Sequence, residues 1–179
     1  MPSHSLPTIA LFGAFGRTGR YFLTKALAQG YRVRALVRTP VKLADVQAPE
    51  LEIIAGDVLD AAAVRRTVQG CGVVVSVFGQ VRGSPPDVQT RGTQNIVTAM
   101  QQQGIDKIIS LSGGGLPCAQ DQPRLADKLI RGIMKLLVPQ MLTDAAGHAD
   151  VLRGSGRRRI IARGPRLTNE LAQGRYRVG

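Results

Sequence analysis

The chain has 179 residues, 44% of them hydrophobic, with a mean hydropathy of zero and a formal charge of +12. That length suits one domain with a real core, and no apolar run approaches a membrane-spanning length. Two cysteines, Cys71 and Cys118, lie in no Cys-x-x-Cys pair and no Cys/His cluster, which argues against a disulfide framework or a metal site and for a reducing, cytoplasmic setting.

The first predicted element is a strand, Thr8–Phe12, which runs into Gly13-Ala14-Phe15-Gly16-Arg17-Thr18-Gly19 and then a helix over Arg17–Gln29 closed by Gly30. Strand, glycine turn and helix in this order form the phosphate-gripping start of a dinucleotide fold. Gly13 allows a tight exit from the strand, Gly16 lets backbone approach a pyrophosphate, and Gly19 lets the helix pack on the strand. The helix start adds unpaired N–H donors and a partial positive charge. Phe15, Arg17 and Thr18 complete the expected cofactor-binding turn.

The second strand, Tyr31–Val37, ends in Arg38-Thr39-Pro40, with Lys42 close behind and no acid before Asp45. An acid at this point holds a ribose 2′-hydroxyl; a 2′-phosphate calls for Arg or Lys. Arg38, Lys42 and the Thr39 hydroxyl therefore favour NADP(H) over NAD(H). The third strand, Leu51–Ala55, leads into Gly56-Asp57-Val58, which places Asp57 and Val58 beside the base. A helix over Ala61–Gln69 follows, then a strand over Val73–Phe78, with Phe78 and Gly79 positioned to pass close to the cofactor.

The remaining expected elements are a helix over Asp87–Gln103, a strand over Lys107–Leu111, helices over Pro123–Val138 and Met141–Arg153, and a strand over Arg159–Ala162. Val- and Ile-rich runs separated by helices predict a parallel sheet covered on both faces. With right-handed crossovers this is an α/β, Rossmann-type doubly wound fold in a single domain, residues 1–179. From residue 151 onward the chain holds eight arginines against one acid, Glu170. Such charge attracts phosphate ligands or anionic substrates; aromatic content of 4% without tryptophan argues against a nucleic-acid stacking platform. The expected partner is a small-molecule acceptor, and the expected state a monomer or homodimer.

Seven stretches in order (IALFGAFGRTG, ALVRTPVKL, IIAGDVLD, residues 92–97, DKIISLS, VLRGSG and IIARGPRLT) make the chain resemble the atypical short-chain dehydrogenase/reductases with an NAD(P)H-binding, NmrA-like domain, and among them the small flavin and biliverdin-IXβ reductases. The resemblance implies hydride transfer from NADPH to a flat conjugated acceptor such as flavin, quinone or a linear tetrapyrrole. It implies a cofactor or substrate contact for Ser112, the candidate catalytic residue, a pocket-shaping role for Pro165, and an acceptor contact for Arg166. The Tyr-x-x-x-Lys dyad of many short-chain dehydrogenases is missing after the fifth strand; Tyr21 and Lys25 match only its spacing. A non-catalytic NADP(H)-binding sensor is the competing reading. His148 reads as a helix-surface residue. The family continues past the Gly-Arg-Tyr-Arg-Val segment into another strand and helix, so an element of its substrate side is expected to be lacking.

Overall fold

The computed structural model describes residues 6–113, 132 and 139–164. Six strands are present among them: β1 (Ile9–Phe12), β2 (Val33–Val37), β3 (Leu51–Ala55), β4 (Val73–Ser76), β5 (Lys107–Gly113) and β6 (Arg158–Gly164). They form one sheet in the order β3-β2-β1-β4-β5-β6, and every neighbouring pair is parallel. The order reverses between β1 and β4, the point at which doubly wound sheets bind ligands.

Helices cover both faces. On one face, Leu23 and Ala26 of α1 (Arg17–Ala28) pack with Ile9, Leu11, Val33, Ala35 and Val75 of the sheet. On the other lie α2 (Ala61–Val68), α3 (Val88–Gln102) and α4 (Pro139–Gly154), which bury Val64, Ile96 and Leu152 against Ala10, Phe12, Val74 and Ile108. Adjacent strand residues thus enter opposite cores, which is why β1 and β4 are apolar without alternation. A 3-10 turn over Pro40–Leu43 links β2 towards β3.

The predicted doubly wound parallel fold is the observed one, with elements shifted only at their ends. Helix α1 stops at Ala28, α2 at Val68 and α3 spans Val88–Gln102, because the flanking residues act as caps. Helix α4 begins at Pro139, two residues before the expected start; proline is tolerated in a first turn, where its missing N–H has no partner to lose. β4 ends at Ser76, although Val77 still donates its amide to Phe12 O at 2.9 Å. β5 and β6 run to Gly113 and Gly164 and remain paired over those extra residues. The predicted helix 123–138 apart from Gly132, which is helical, and Cys118, Pro165, Arg166 and the basic residues beyond lie outside the described residues.

Candidate functional site

The turn after β1 is shaped by two close approaches. Gly13 adopts φ +91°, and a Cβ there would lie 2.6 Å from the Phe78 amide nitrogen and 2.8 Å from the Val77 carbonyl carbon. Only glycine fits that conformation and contact together. At Gly19 a Cβ would stand 2.0 Å from the Gly13 carbonyl oxygen, so the first turn of α1 lies directly on the glycine turn. Gly16 is the N-cap of α1, has no side chain to cap the helix, and no acid occupies the first turn. Its amide turns back to Gly13 O at 3.1 Å. The amides of the first turn, at Arg17, Thr18 and Gly19, are therefore left for an anion to accept.

A cleft of about 470 Å³ opens from this turn across the carboxyl ends of β1 to β4. Of the residues singled out from sequence, Gly13, Phe15, Gly16, Arg38, Lys42, Asp57, Val58, Phe78 and Gly79 line it. Arg17, Thr18 and Gly19 stand just behind Gly16 in α1 and do not line the wall. Ser112 does not line the cleft: it is 5% exposed near the end of β5, and its hydroxyl has no hydrogen-bond partner among the described residues.

The β2 end of the cleft is basic. Arg38 is 64% exposed, with Nε 3.9 Å from Asp57 Oδ2. Asp57 in turn accepts the Leu59 amide at 2.8 Å, which shapes the exit from β3. Lys42 Nζ lies 4.9 Å from the centroid of the Phe15 ring, and Arg20 approaches the same ring at 5.8 Å. Arg20 also binds Asp45 and donates to Lys42 O at 2.7 Å, tying the 3-10 turn to α1. The hydrogen bond from Arg20 holds the Asp45 carboxyl below the ordinary carboxylate range.

Sequence reasoning missed Val81, Ser84 and Val88, which close the β4 side of the cleft. They belong to the loop before α3 and to its first residue, where Gly83, Pro85 and Pro86 signal only a turn. A second hollow of about 350 Å³, lined by Gln80, Arg82, Gln140 and Met141 among others, shares Val81 and Ser84 with the first. The Tyr21/Lys25 pair is an outer-surface feature of α1: Tyr21 is 68% exposed, with Lys25 5.6 Å from its ring.

His148 does not lie on a helix surface. It is 2% exposed, between Thr93 of α3 and Ser110 of β5. Helix α4 turns Asp144, His148, Ala149 and Leu152 inward together, so two polar residues occupy its buried stripe. Burial lowers the pKa of His148. The signal available in sequence was the spacing of Asp144 and His148, four apart and in line with Leu152.

A glycine turn feeding an uncapped helix start at the reversal point of a parallel sheet is the arrangement of a Rossmann-type nucleotide-binding fold. The chain belongs to the NAD(P)H-binding family, whose model matches residues 13–179. It is 30% identical over 116 residues to cinnamoyl-CoA reductase 1 of Oryza sativa subsp. japonica, a match covering 60% of this chain and 34% of that protein. Among solved structures it is similar to the anaerobillin reductase of Escherichia coli O157:H7, with a TM-score of 0.75 at 21% identity, covering 94% of this chain and 77% of the other. A wide-type short-chain dehydrogenase/reductase from Veillonella parvula in complex with NADP gives a TM-score of 0.63 at 18% identity, covering 88% of this chain and 68% of the other. At these identities the structural likeness is one of fold. The open backbone at Gly16, the uncapped α1 amides and the basic β2 end fit a dinucleotide.

Proposed function

We propose that the chain is an NADPH-dependent reductase that passes hydride to a small conjugated acceptor such as a flavin or quinone. The observation that carries this reading is the pairing of one continuous cleft over the strand ends with Arg38, Thr39 and Lys42 at its β2 end. The α1 amides would hold the pyrophosphate, and the Arg38 fork would take the 2′-phosphate. Lys42, steadied over Phe15, would add a second positive charge, while Asp57 and Val58 border the base. Phe78, Gly79 and the Ser112 hydroxyl would meet the nicotinamide end, which supplies the hydride when the cofactor is bound.

The reaction on this reading is mainly one of positioning and water exclusion, which suits an acceptor that needs little acid catalysis. The hollow beside Arg82 and Gln140 adjoins the nicotinamide end and offers the acceptor an approach. Reductases among the relatives support the reaction class, and the acceptor rests on the chemistry of the site.

Calorimetric titration with NADPH and NADH, followed by NADPH oxidation in the presence of a flavin or a quinone, tests the proposal. Tight NADPH binding, weaker NADH binding and acceptor-dependent oxidation are expected. Binding without turnover for any acceptor would replace the enzyme with an NADP(H)-binding sensor, the reading that the missing Tyr/Lys dyad favours. Absence of binding would remove both.

A further inference from the structure

The core beneath α3 and α4 contains a polar layer. His148 Nδ1 is 2.7 Å from Thr93 Oγ1, and Nε2 is 3.0 Å from Ser110 Oγ. The Ser110 hydroxyl donates to the Ser76 carbonyl at 3.4 Å. The ring therefore bridges Thr93 of α3 and Ser110 of β5, one nitrogen to each hydroxyl. The imidazole is neutral and used at both nitrogens. An imidazole bonded at both nitrogens holds its neighbours in one arrangement, whereas apolar packing tolerates slippage.

Its position gives that rigidity a purpose. Ser76 and Ser110 are register partners in β4 and β5. Two residues on from each stand Phe78, just past the end of β4 and packed on the same core as Phe12 and Val74, and Ser112 in β5. Phe78 lines the cleft and packs over Gly92, the neighbour of Thr93. Ser112 carries the buried hydroxyl without a partner. The histidine layer therefore lies one side-chain step below Phe78 in the cleft wall and below Ser112, which stands beside that wall at the end of β5 without lining it.

We propose that His148 is a positioning residue for the hydride-delivering end of the site: through Ser110 it sets the end of β5 and so aims the Ser112 hydroxyl at a carbonyl group of the bound nicotinamide or acceptor. This rests on the reductase reading above. The two ring nitrogens have different duties. The Nε2 bond to Ser110 acts on the site, and the Nδ1 bond to Thr93 anchors the ring.

Two substitutions separate these duties. Gln places an amide near the Nε2 position, and Asn near the Nδ1 position. With NADPH and a water-soluble quinone, His148→Asn is expected to lower kcat roughly tenfold or more, while His148→Gln keeps most of it. NADPH affinity by calorimetry should change by less than about twofold in both. Equal losses in the two variants, or wild-type kcat in both, would overturn the inference, since a merely structural histidine does not distinguish its nitrogens in kcat alone.

A second readout needs no turnover. His4 and His148 are the chain's two histidines, so their ring protons are readily assigned by NMR. Saturating NADP+ should shift the His148 signal, and Ser112→Ala should abolish that shift. A His148 signal unmoved by NADP+ that calorimetry shows to be bound overturns the inference and leaves the nucleotide reading standing. If the wild-type chain binds no nucleotide, the nucleotide reading fails and takes this inference with it.

Discussion

Arg38 and His148 show what single side chains contribute. The Arg38 guanidinium is mostly exposed, and its 3.9 Å contact with Asp57 is long. An exposed pair of this length holds little energy, so a phosphate can displace it. Arg38→Ala should weaken NADPH binding roughly tenfold to a hundredfold and leave NADH nearly unchanged. Equal losses measured by calorimetry would move Arg38 from the 2′-phosphate to a feature that both cofactors share. For His148 the folded state favours the neutral ring, because burial lowers its pKa from the ordinary 6.5; Asp144, one turn away, opposes this more weakly. Its contribution to stability is therefore present above pH 6.5 and lost as pH falls towards the lowered value. Melting temperatures taken between about pH 7.5 and 5 should fall on the acid side, and His148→Gln should flatten that fall. Gly13 and Gly19 were legible in sequence because their spacing and their place between strand and helix leave few other roles. His148 was not, because a polar residue on a helix reads as exposed until the helix has a neighbour offering two hydroxyls.

Helices α3 and α4 meet through a capping contact between chains of residues far apart in sequence. The Asp87 side chain does not cap α3; Asp144 of α4 does so instead, accepting the Gln89 amide at 2.9 Å, the Thr90 amide at 2.8 Å and the Thr90 hydroxyl at 2.8 Å. Asp144 is 3% exposed, so its loss would strand two amides out of reach of full solvation. Asp144→Ala should cost about 2–4 kcal/mol in urea unfolding, and Asp144→Asn less, since one acceptor survives. A midpoint within error of wild type would show that water replaces the carboxylate at no cost. Strands were the most legible elements, as each is a short Val- or Ile-rich run bounded by turn residues. Their ends were not, because β5 and β6 continue as far as each finds the other. A cap supplied by another helix leaves no local mark at all: Asp144 has the composition of a surface residue and the position of a core one.

At the scale of the whole molecule, the doubly wound parallel sheet followed from alternating strand and helix signals and the right-handed crossover rule, and the structure supplies its order, β3-β2-β1-β4-β5-β6. The cleft followed from that order, since the reversal point is where strand ends diverge. Its outer wall at Val81 and Ser84 did not, because loop paths depend on packing rather than on periodicity. The formal charge of +12 acts over the whole surface and adds to the short contacts at Arg38 and Lys42. Raising salt from about 0.05 to 0.3 M should weaken NADPH binding severalfold and NADH binding less, because screening acts most on the more highly charged ligand. Dissociation constants that do not change with salt would confine recognition to the short contacts. The cap on α3 has one more consequence, and it concerns order in time. Asp144 lies 55 residues beyond Gln89, and His148 the same distance beyond Thr93. A nascent chain can pair β1 to β5 while the start of α3 still depends on water. Where docking of α4 follows the folding barrier, its bonds mostly govern how fast the native state opens rather than how fast it forms. Weakening those bonds should then shorten the native lifetime before it slows folding.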